Sequence, residues 1–209
     1  MTARDNILAK IAAARGERPA TLPAERPSHP PGPIPIIEAD LCQRFCAQAT
    51  RLASDISWAN SLSEVPGIAA TYLREHALPL DAVCWPGICD LDWPRVKMEV
   101  KAGAASGDDL VGITGAFLGI AETGTLMLLS SRETPATVSL LPETHIAILK
   151  SDNIVATMED AWNRLRAERG TLPRAVNFIS GPSRTADIEQ TVTLGAHGPY
   201  RVLIVVVKE

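Results

Sequence analysis

The chain has 209 residues, of which 46% are apolar and 21% are charged, and this composition is typical of an ordinary globular protein. Its net charge of -4 and sequence pI near 5.6 argue against a nucleic-acid-binding protein, because phosphate contacts need clustered Lys and Arg. No run reaches the roughly 18 apolar residues of a membrane span, and the N-terminus lacks the apolar core of a secretory signal. We therefore expect one cytoplasmic domain with an appended arm, without a membrane span and without a nucleic-acid partner.

The N-terminal region predicts a helix followed by a spacer. Arg4 to Arg15 carries apolar residues at helical spacing, and Asp5 suits the start of a helix. Pro19 to Pro35 holds seven of the sixteen prolines, which favours an extended, semi-rigid linker over a proline-rich recognition motif. We therefore assign residues 1–35 to a helix and Pro-rich arm, and residues 36–209 to a globular α/β domain.

The first half of this domain predicts helices alternating with short strands. Two segments have helical patterns, two short apolar runs suggest strands, and one alternating run suggests a half-exposed edge strand. The predicted helices are Glu38 to Ala53 and Val65 to His76. The predicted strands are Ile56 to Ala59 and Ala82 to Trp85, and the predicted edge strand is Val96 to Val100.

The four cysteines lie in this half, as C-x3-C and C-x4-C pairs. Neither spacing is that of a zinc ribbon, and in the cytoplasm we expect reduced, packed thiols. A metal site using Cys84 and Cys89 with nearby aspartates is the alternative. We assign no metal ligands.

The second half begins with three apolar runs joined by short connections, which predict antiparallel neighbours. An amphipathic helix from Ile154 to Leu165 follows, ended by Gly170. The remaining prediction is a strand, a helix from about Thr185 to Leu194, and a last strand buried on both faces because it lacks alternation. The three runs are Leu126 to Leu129, Val138 to Leu141 and Ile146 to Leu149, and the two later strands are Ala175 to Ile179 and Val202 to Val207. The sum is an α/β fold with a mixed, mostly parallel sheet covered by helices.

Three polar segments interrupt the apolar second half. They are residues 121–125, 180–187 and 195–199, called here the first, second and third polar segments. Because loops of open α/β sheets often meet where ligands bind, we expect the three to converge. A helix starting near Thr185 would also present free backbone N–H groups to an anion. The expected ligand-binding residues are Thr123, Gly124, Thr125, Ser180, Gly181, Ser183, Arg184, Thr185 and Gly198.

Three residues of these segments are candidates for catalysis, and each has a structural alternative. Glu122 suits a nucleophile or general base, or else a loop carboxylate that accepts backbone N–H groups. His197 suits acid–base chemistry, or else a turn hydrogen bond. Asp187 suits a direct role, or else complements the first turn of a helix. Arg184 would then bind an anion or pair with Asp187.

The motifs IAETGTLML, SLLPETHIAIL, ISGPSRTADIE and LGAHGPYRVLIVVV, in this order, resemble the lactate-utilization (LUD) domain family. The resemblance implies a fold like that of the NagB/RpiA/CoA-transferase-like superfamily. It also implies a subunit of a bacterial system that oxidises L-lactate to pyruvate with two iron–sulfur partner proteins. This chain lacks a ferredoxin-type cysteine array, so we expect the clusters in the partners only.

Two other functions remain open from the sequence. Glu122-Thr-Gly resembles the loop that carries the nucleophilic glutamate of CoA transferases, which suggests a freestanding CoA-transferase-like or cyclo-ligase-like enzyme acting on a phosphate-bearing substrate. The neighbouring residues depart from that pattern, and fold kinship alone does not license a function. A scaffold subunit with a vestigial pocket is the third reading.

Overall fold

The computed structural model describes residues 2–15, 32–33, 36–37, 40–185, 193–195 and 197–208. The chain forms two compact units, Met1–Ile34 and Pro35–Glu209. The first contains helix α1, which begins as expected beside Asp5, whose carboxylate accepts hydrogen bonds from the backbone and hydroxyl of Thr2. Most of the expected Pro-rich arm lies outside the described residues.

The described residues form six α-helices and twelve strands, with three single-turn 3-10 helices at Leu62–Glu64, Pro94–Val96 and Ser151–Asn153. The helices are α1 (Ala3–Arg15), α2 (Leu41–Arg51), α3 (Val65–Glu75), α4 (Pro86–Cys89), α5 (Thr137–Leu140) and α6 (Met158–Arg169). The first six strands are β1 (Asp55–Ala59), β2 (Asp81–Cys84), β3 (Glu99–Ala102), β4 (Val111–Gly115), β5 (Leu118–Ile120) and β6 (Thr125–Leu129). The other six are β7 (Thr144–Lys150), β8 (Ile154–Val155), β9 (Val176–Ile179), β10 (Arg184–Thr185), β11 (Thr193–Leu194) and β12 (Arg201–Val207).

The central sheet has the strand order β1-β12-β7-β4-β2-β3, and every neighbouring pair is parallel. Strand β12 is apolar throughout because both of its faces are buried: Leu203, Val205 and Val207 pack on the α3 side, and Val202 and Ile204 on the other. This confirms the expected buried strand. The edge strand β3 is also as expected, shifted by three residues from the predicted start.

A second sheet, ordered β8-β5-β6-β9, covers part of the other face of the central sheet together with α2. Leu126 and Leu128 of β6 point into this layer, whereas Met127 points away and packs with Ala161 and Leu165 of α6. The layers are therefore α3, the central sheet, α2 with the second sheet, and α6. The predicted α/β fold with mostly parallel strands is confirmed.

One predicted strand, one predicted strand pairing and the predicted start of the amphipathic helix are wrong. Val138 to Leu141 is not a strand but largely the short helix α5, and β6 and β7 belong to different sheets instead of being antiparallel neighbours. The amphipathic helix begins at Met158, because Ile154 and Val155 form a strand.

The helix expected from Thr185 to Leu194 is contradicted at both ends. Arg184–Thr185 and Thr193–Leu194 pair as antiparallel strands, and residues 186–192 between them lie outside the described residues. The argument for an anion site at a helix N-terminus there therefore loses its basis.

Candidate functional site

The first polar segment connects β5 to β6 and lies against α2. Gly124 has φ +69°, and its backbone is so close to the Ala49 amide that a side chain would collide with it. The Glu122 backbone N–H donates to the Ala156 carbonyl oxygen over 2.9 Å, and the residue is half-buried. The loop is thus held by backbone contacts on both sides.

Hydroxyl groups join the first polar segment to the second. Thr123 Oγ1 donates to Thr125 Oγ1 over 2.8 Å, and Thr125 Oγ1 shares a hydrogen bond of 2.8 Å with Ser180 Oγ. Thr125 is buried, whereas Thr123 and Ser180 are exposed. This chain of three hydroxyls opens to solvent at both ends.

The second polar segment is joined to the third through Ser183. The Ser183 backbone N–H donates to the Pro199 carbonyl oxygen over 2.8 Å, and the Gly195 N–H donates to the Ser183 carbonyl oxygen over 3.0 Å. A Cβ atom on Gly198 would lie 3.3 Å from Ser183 Cβ. Gly181, with φ +84°, contacts the Leu52 carbonyl at the end of α2.

The third polar segment borders a cleft of about 580 Å³ at the amino ends of β7 and β12, which we call the amino-end cleft. Exposed His197 lines it, together with Gly198, Glu143, Tyr200 and Arg201. The structure therefore brings the three polar segments into contact, but of the described candidates Glu122, Arg184 and His197 only His197 lines this cleft. Glu122 and Arg184 do not line it, and Asp187 lies outside the described residues.

A second cleft, of about 840 Å³, lies at the carboxyl end of the central sheet, and we call it the carboxyl-end cleft. Its floor is Trp85, which directly follows β2, and Gly115 to Phe117 at the end of β4. Strands β2 and β4 are neighbours, and the chain proceeds from β2 to β3 on one side and from β4 to β7 on the other. Such a reversal is the place where open α/β sheets bind ligands.

Side chains of α6 and two loops form the walls of the carboxyl-end cleft. Arg164 is fixed there: its Nε lies 2.7 Å from Glu168 Oε1, and its NH2 group donates to Asn153 Oδ1 over 2.8 Å. The Arg169 guanidinium lies over the Phe117 ring, 5.7 Å from its centroid, and makes no ion pair with any carboxylate in the described part of the chain.

Sequence reasoning missed the carboxyl-end cleft, because its lining comes from five separated parts of the chain. The usable signals were the hydroxyl-rich residues Ser130, Ser131 and Thr134, which follow the apolar run of β6, and the Arg164–Glu168 pair at helical spacing. Neither signal says which strands become neighbours.

The four cysteines are free thiols. Desolvation is the main cause that raises the pKa of Cys84, and it also raises the pKa of Cys46 to about 12, so both favour the neutral form. Over the described residues, no group of three or more His, Cys, Asp or Glu is arranged to hold a metal ion. No described helix has the length and apolar character needed to cross a membrane.

Over part of its length, the chain is similar to proteins named for lactate utilization. It is 41% identical over 130 residues to "Lactate utilization protein C" of Bacillus subtilis (60% of this chain and 54% of that protein). It is 44% identical over 101 residues to the protein of that name from Shouchella clausii (47% of this chain, 44% of that protein). The chain thus spans about half the length of these curated relatives.

Two other similarities extend over most of the chain. An uncharacterized protein of Neisseria meningitidis serogroup B is 29% identical over 224 residues, covering 99% of this chain and 94% of that protein. A crystal structure of a DUF162 family protein from Deinococcus radiodurans matches with a TM-score of 0.63 and 25% identity, over 83% of this chain and 99% of that one. Residues 90–207, which contain all three polar segments, match the LUD domain. The chain therefore belongs to the LUD domain family.

Proposed function

We propose that this chain takes part in bacterial L-lactate utilization, as a subunit of a system that oxidises L-lactate to pyruvate. The observation that carries the proposal is the 34–44% identity to several proteins named for lactate utilization. In this system two iron–sulfur proteins are the partners that carry electrons. The cysteine spacing of this chain supports placing the clusters in the partners, because it is not the ferredoxin-type array that binds an iron–sulfur cluster.

The polar segments are the proposed contact region for a small anion or a partner protein. Thr123, Ser180, Arg184 and His197 are all exposed, so donors and a fixed positive charge are accessible to a carboxylate. Backbone contacts hold the surrounding loops through Gly124, which limits the conformational freedom lost on binding.

Gene deletion tests the role in lactate utilization. In a bacterium that carries this gene and no paralogue, the deletion strain is expected to lose growth on L-lactate and to keep growth on pyruvate, with restoration by a plasmid copy. Pyruvate is the matched control because it enters metabolism after the oxidation step. Undiminished growth of the deletion strain on L-lactate would contradict the proposal.

Complementation with variants tests the site separately. We expect Glu122→Gln, His197→Asn and Arg184→Gln to restore growth on L-lactate less than the unmodified gene, because each removes an acid–base or anion-binding group. Glu159→Gln is the control, since Glu159 is an exposed carboxylate on α6 outside the polar segments. Full restoration by all three site variants, at equal protein level, would remove the assigned site and leave the lactate role standing.

A further inference from the structure

We infer that the carboxyl-end cleft binds an organic anion larger than lactate, with a phosphate or carboxylate head and an aromatic body. This site goes beyond the proposed lactate role and uses none of the polar-segment residues. The cleft lies between the carboxyl ends of β2 and β4, where the strand order reverses. Open α/β sheets usually bind their ligands at such a position.

The size of the cleft argues against lactate as its whole occupant. A volume of about 840 Å³ falls within the roughly 300–1,000 Å³ of sites that enclose drug-sized ligands. At about 30 Å³ per water molecule, it has room for roughly 28 waters. A three-carbon acid would leave most of that space filled with water, so the cleft fits a ligand of nucleotide size.

The charges of the cleft favour an anion. Glu168 neutralises Arg164, which is also bonded to Asn153 and to the Asp152 carbonyl oxygen. Arg169 keeps its positive charge without a carboxylate partner in the described part of the chain, and stacking on Phe117 holds it at the wall. The three charged side chains of the cleft therefore carry a net positive charge, which is that of Arg169.

Donors beside Arg169 complete the recognition of a phosphate or carboxylate. Ser130 Oγ accepts from the Ala175 N–H over 2.8 Å, and its own proton makes no bond to a described acceptor. The amide Nδ2 of Asn153 is likewise not bonded to any described residue, while its Oδ1 is held by Arg164. An anion in the cleft can accept from all three groups.

The apolar part of the lining favours an aromatic body for the ligand. Phe117, Leu129 and Leu172 line the cleft, and Leu172 is 62% exposed at its rim. Trp85 is held in place by a hydrogen bond of 3.1 Å from its Nε1 to the Pro135 carbonyl oxygen. A planar ring placed against these side chains would bury apolar surface on both partners.

Binding measurements on the full chain test the ligand class. By isothermal titration calorimetry we expect AMP and phenyl phosphate to bind at least tenfold more tightly than inorganic phosphate, L-lactate or adenosine, because only the first two combine ring and charge. If neither ring-bearing phosphate binds below millimolar concentration, or if phosphate or L-lactate alone binds as tightly, the inference is wrong.

Two pairs of variants test the location. Arg169→Gln is expected to weaken AMP binding by about tenfold, and Arg166→Gln is the matched control, because Arg166 stacks on Trp162 of the same helix outside the cleft. Leu172→Glu is expected to weaken binding by repulsion at the rim, whereas Leu141→Glu, at a leucine of the amino-end cleft that is also more than half exposed, is not. Equal affinity of Arg169→Gln and Arg166→Gln would overturn the assignment, and neither result bears on growth on L-lactate.

Discussion

His145 is a fully buried imidazole on the central sheet. Its Nε2 lies 2.8 Å from Thr114 Oγ1, whereas its Nδ1 is buried without a hydrogen-bond partner in the described part of the chain. Desolvation lowers the pKa of His145 to about 4, below its ordinary value of roughly 6.5. The folded protein therefore keeps this side chain neutral over a pH range in which the unfolded chain already binds a proton.

This difference predicts a loss of stability in mild acid. The free energy of unfolding is unaffected by His145 above about pH 6.5. As the pH falls toward 4, protonation of His145 in the unfolded chain lowers that free energy by on the order of 3 kcal/mol in total. Urea unfolding at several pH values measures it. The double variant Thr114→Val with His145→Leu should lose this part of the pH dependence, whereas Thr114→Val alone should keep it. The same slope between pH 6.5 and 4 in the double variant would show that another group is responsible.

Two glycines with similar positive φ angles differ in their surroundings, so comparing them distinguishes backbone strain from a steric clash. Gly124 has φ +69° and touches the α2 backbone, whereas Gly170 has φ +65° and open space around it. We expect Gly170→Ala to cost roughly 1–3 kcal/mol, because φ +65° with ψ -46° is a strained backbone conformation for a residue with a Cβ atom. We expect Gly124→Ala to cost roughly 1–3 kcal/mol more, because its Cβ would also collide with α2. Equal losses in the free energy of unfolding would mean that the contact with α2 relaxes freely.

At the scale of the element, a capping box sets where α6 begins. The Asp160 backbone N–H donates to Thr157 Oγ1 over 3.2 Å, and the Thr157 N–H donates to Asp160 Oδ2 over 3.1 Å. Apolar periodicity alone predicts a start at Ile154, because the strand residues Ile154 and Val155 stand at helical spacing from the apolar residues of α6. The sequence pattern that corresponds to the observed start is Thr157-x-x-Asp160.

Thr157→Ala is expected to destabilise the protein by about 1 kcal/mol, within the usual 0.5–2 kcal/mol range for an N-cap. Thr157→Ser keeps the hydroxyl and should retain most of that stability, so the pair isolates the cap from the loss of a buried side chain. The measurement is the shift in the urea midpoint at an unchanged slope. A serine variant as unstable as the alanine variant would assign the effect to the methyl group.

A long apolar run predicted its strand without ambiguity, whereas four-residue runs predicted a strand correctly at β6 and wrongly at α5. Strand β12 was predictable because its six apolar residues have no alternation, which leaves burial on both faces as the simple solution. Four-residue runs do not distinguish a strand from a buried turn of helix, and α5 shows this: Val138 is buried, whereas Leu140 is 39% exposed. At Arg184–Thr185, a hydroxyl-rich pattern that suits a helix start instead forms strand β10, which pairs antiparallel with β11.

At the scale of the whole molecule, the two candidate sites lie at opposite ends of the central sheet. The amino-end cleft is bordered by polar residues at the starts of β7 and β12, and such loops can be read from the sequence as interruptions of apolar runs. The carboxyl-end cleft depends on β2 lying beside β4, although β3 separates them in the chain. No local pattern encodes that neighbour relation, so Arg169 and Trp85 are functional candidates that only the fold reveals.

The same large-scale organisation predicts that residues 36–209 fold without the N-terminal helix and arm. All the described core clusters are built from residues beyond position 40, and a unit with its own hydrophobic core can fold alone. A chain starting at Ile36 is expected to unfold cooperatively in urea and to keep the near-ultraviolet circular dichroism of packed tryptophans. As a matched control, a chain starting at Asp55 lacks α2, whose Phe45 and Ala49 are fully buried, and should lose that signal. If the chain starting at Ile36 resembles the control instead, the boundary proposed near residue 35 is wrong and the N-terminal segment is part of the folding unit.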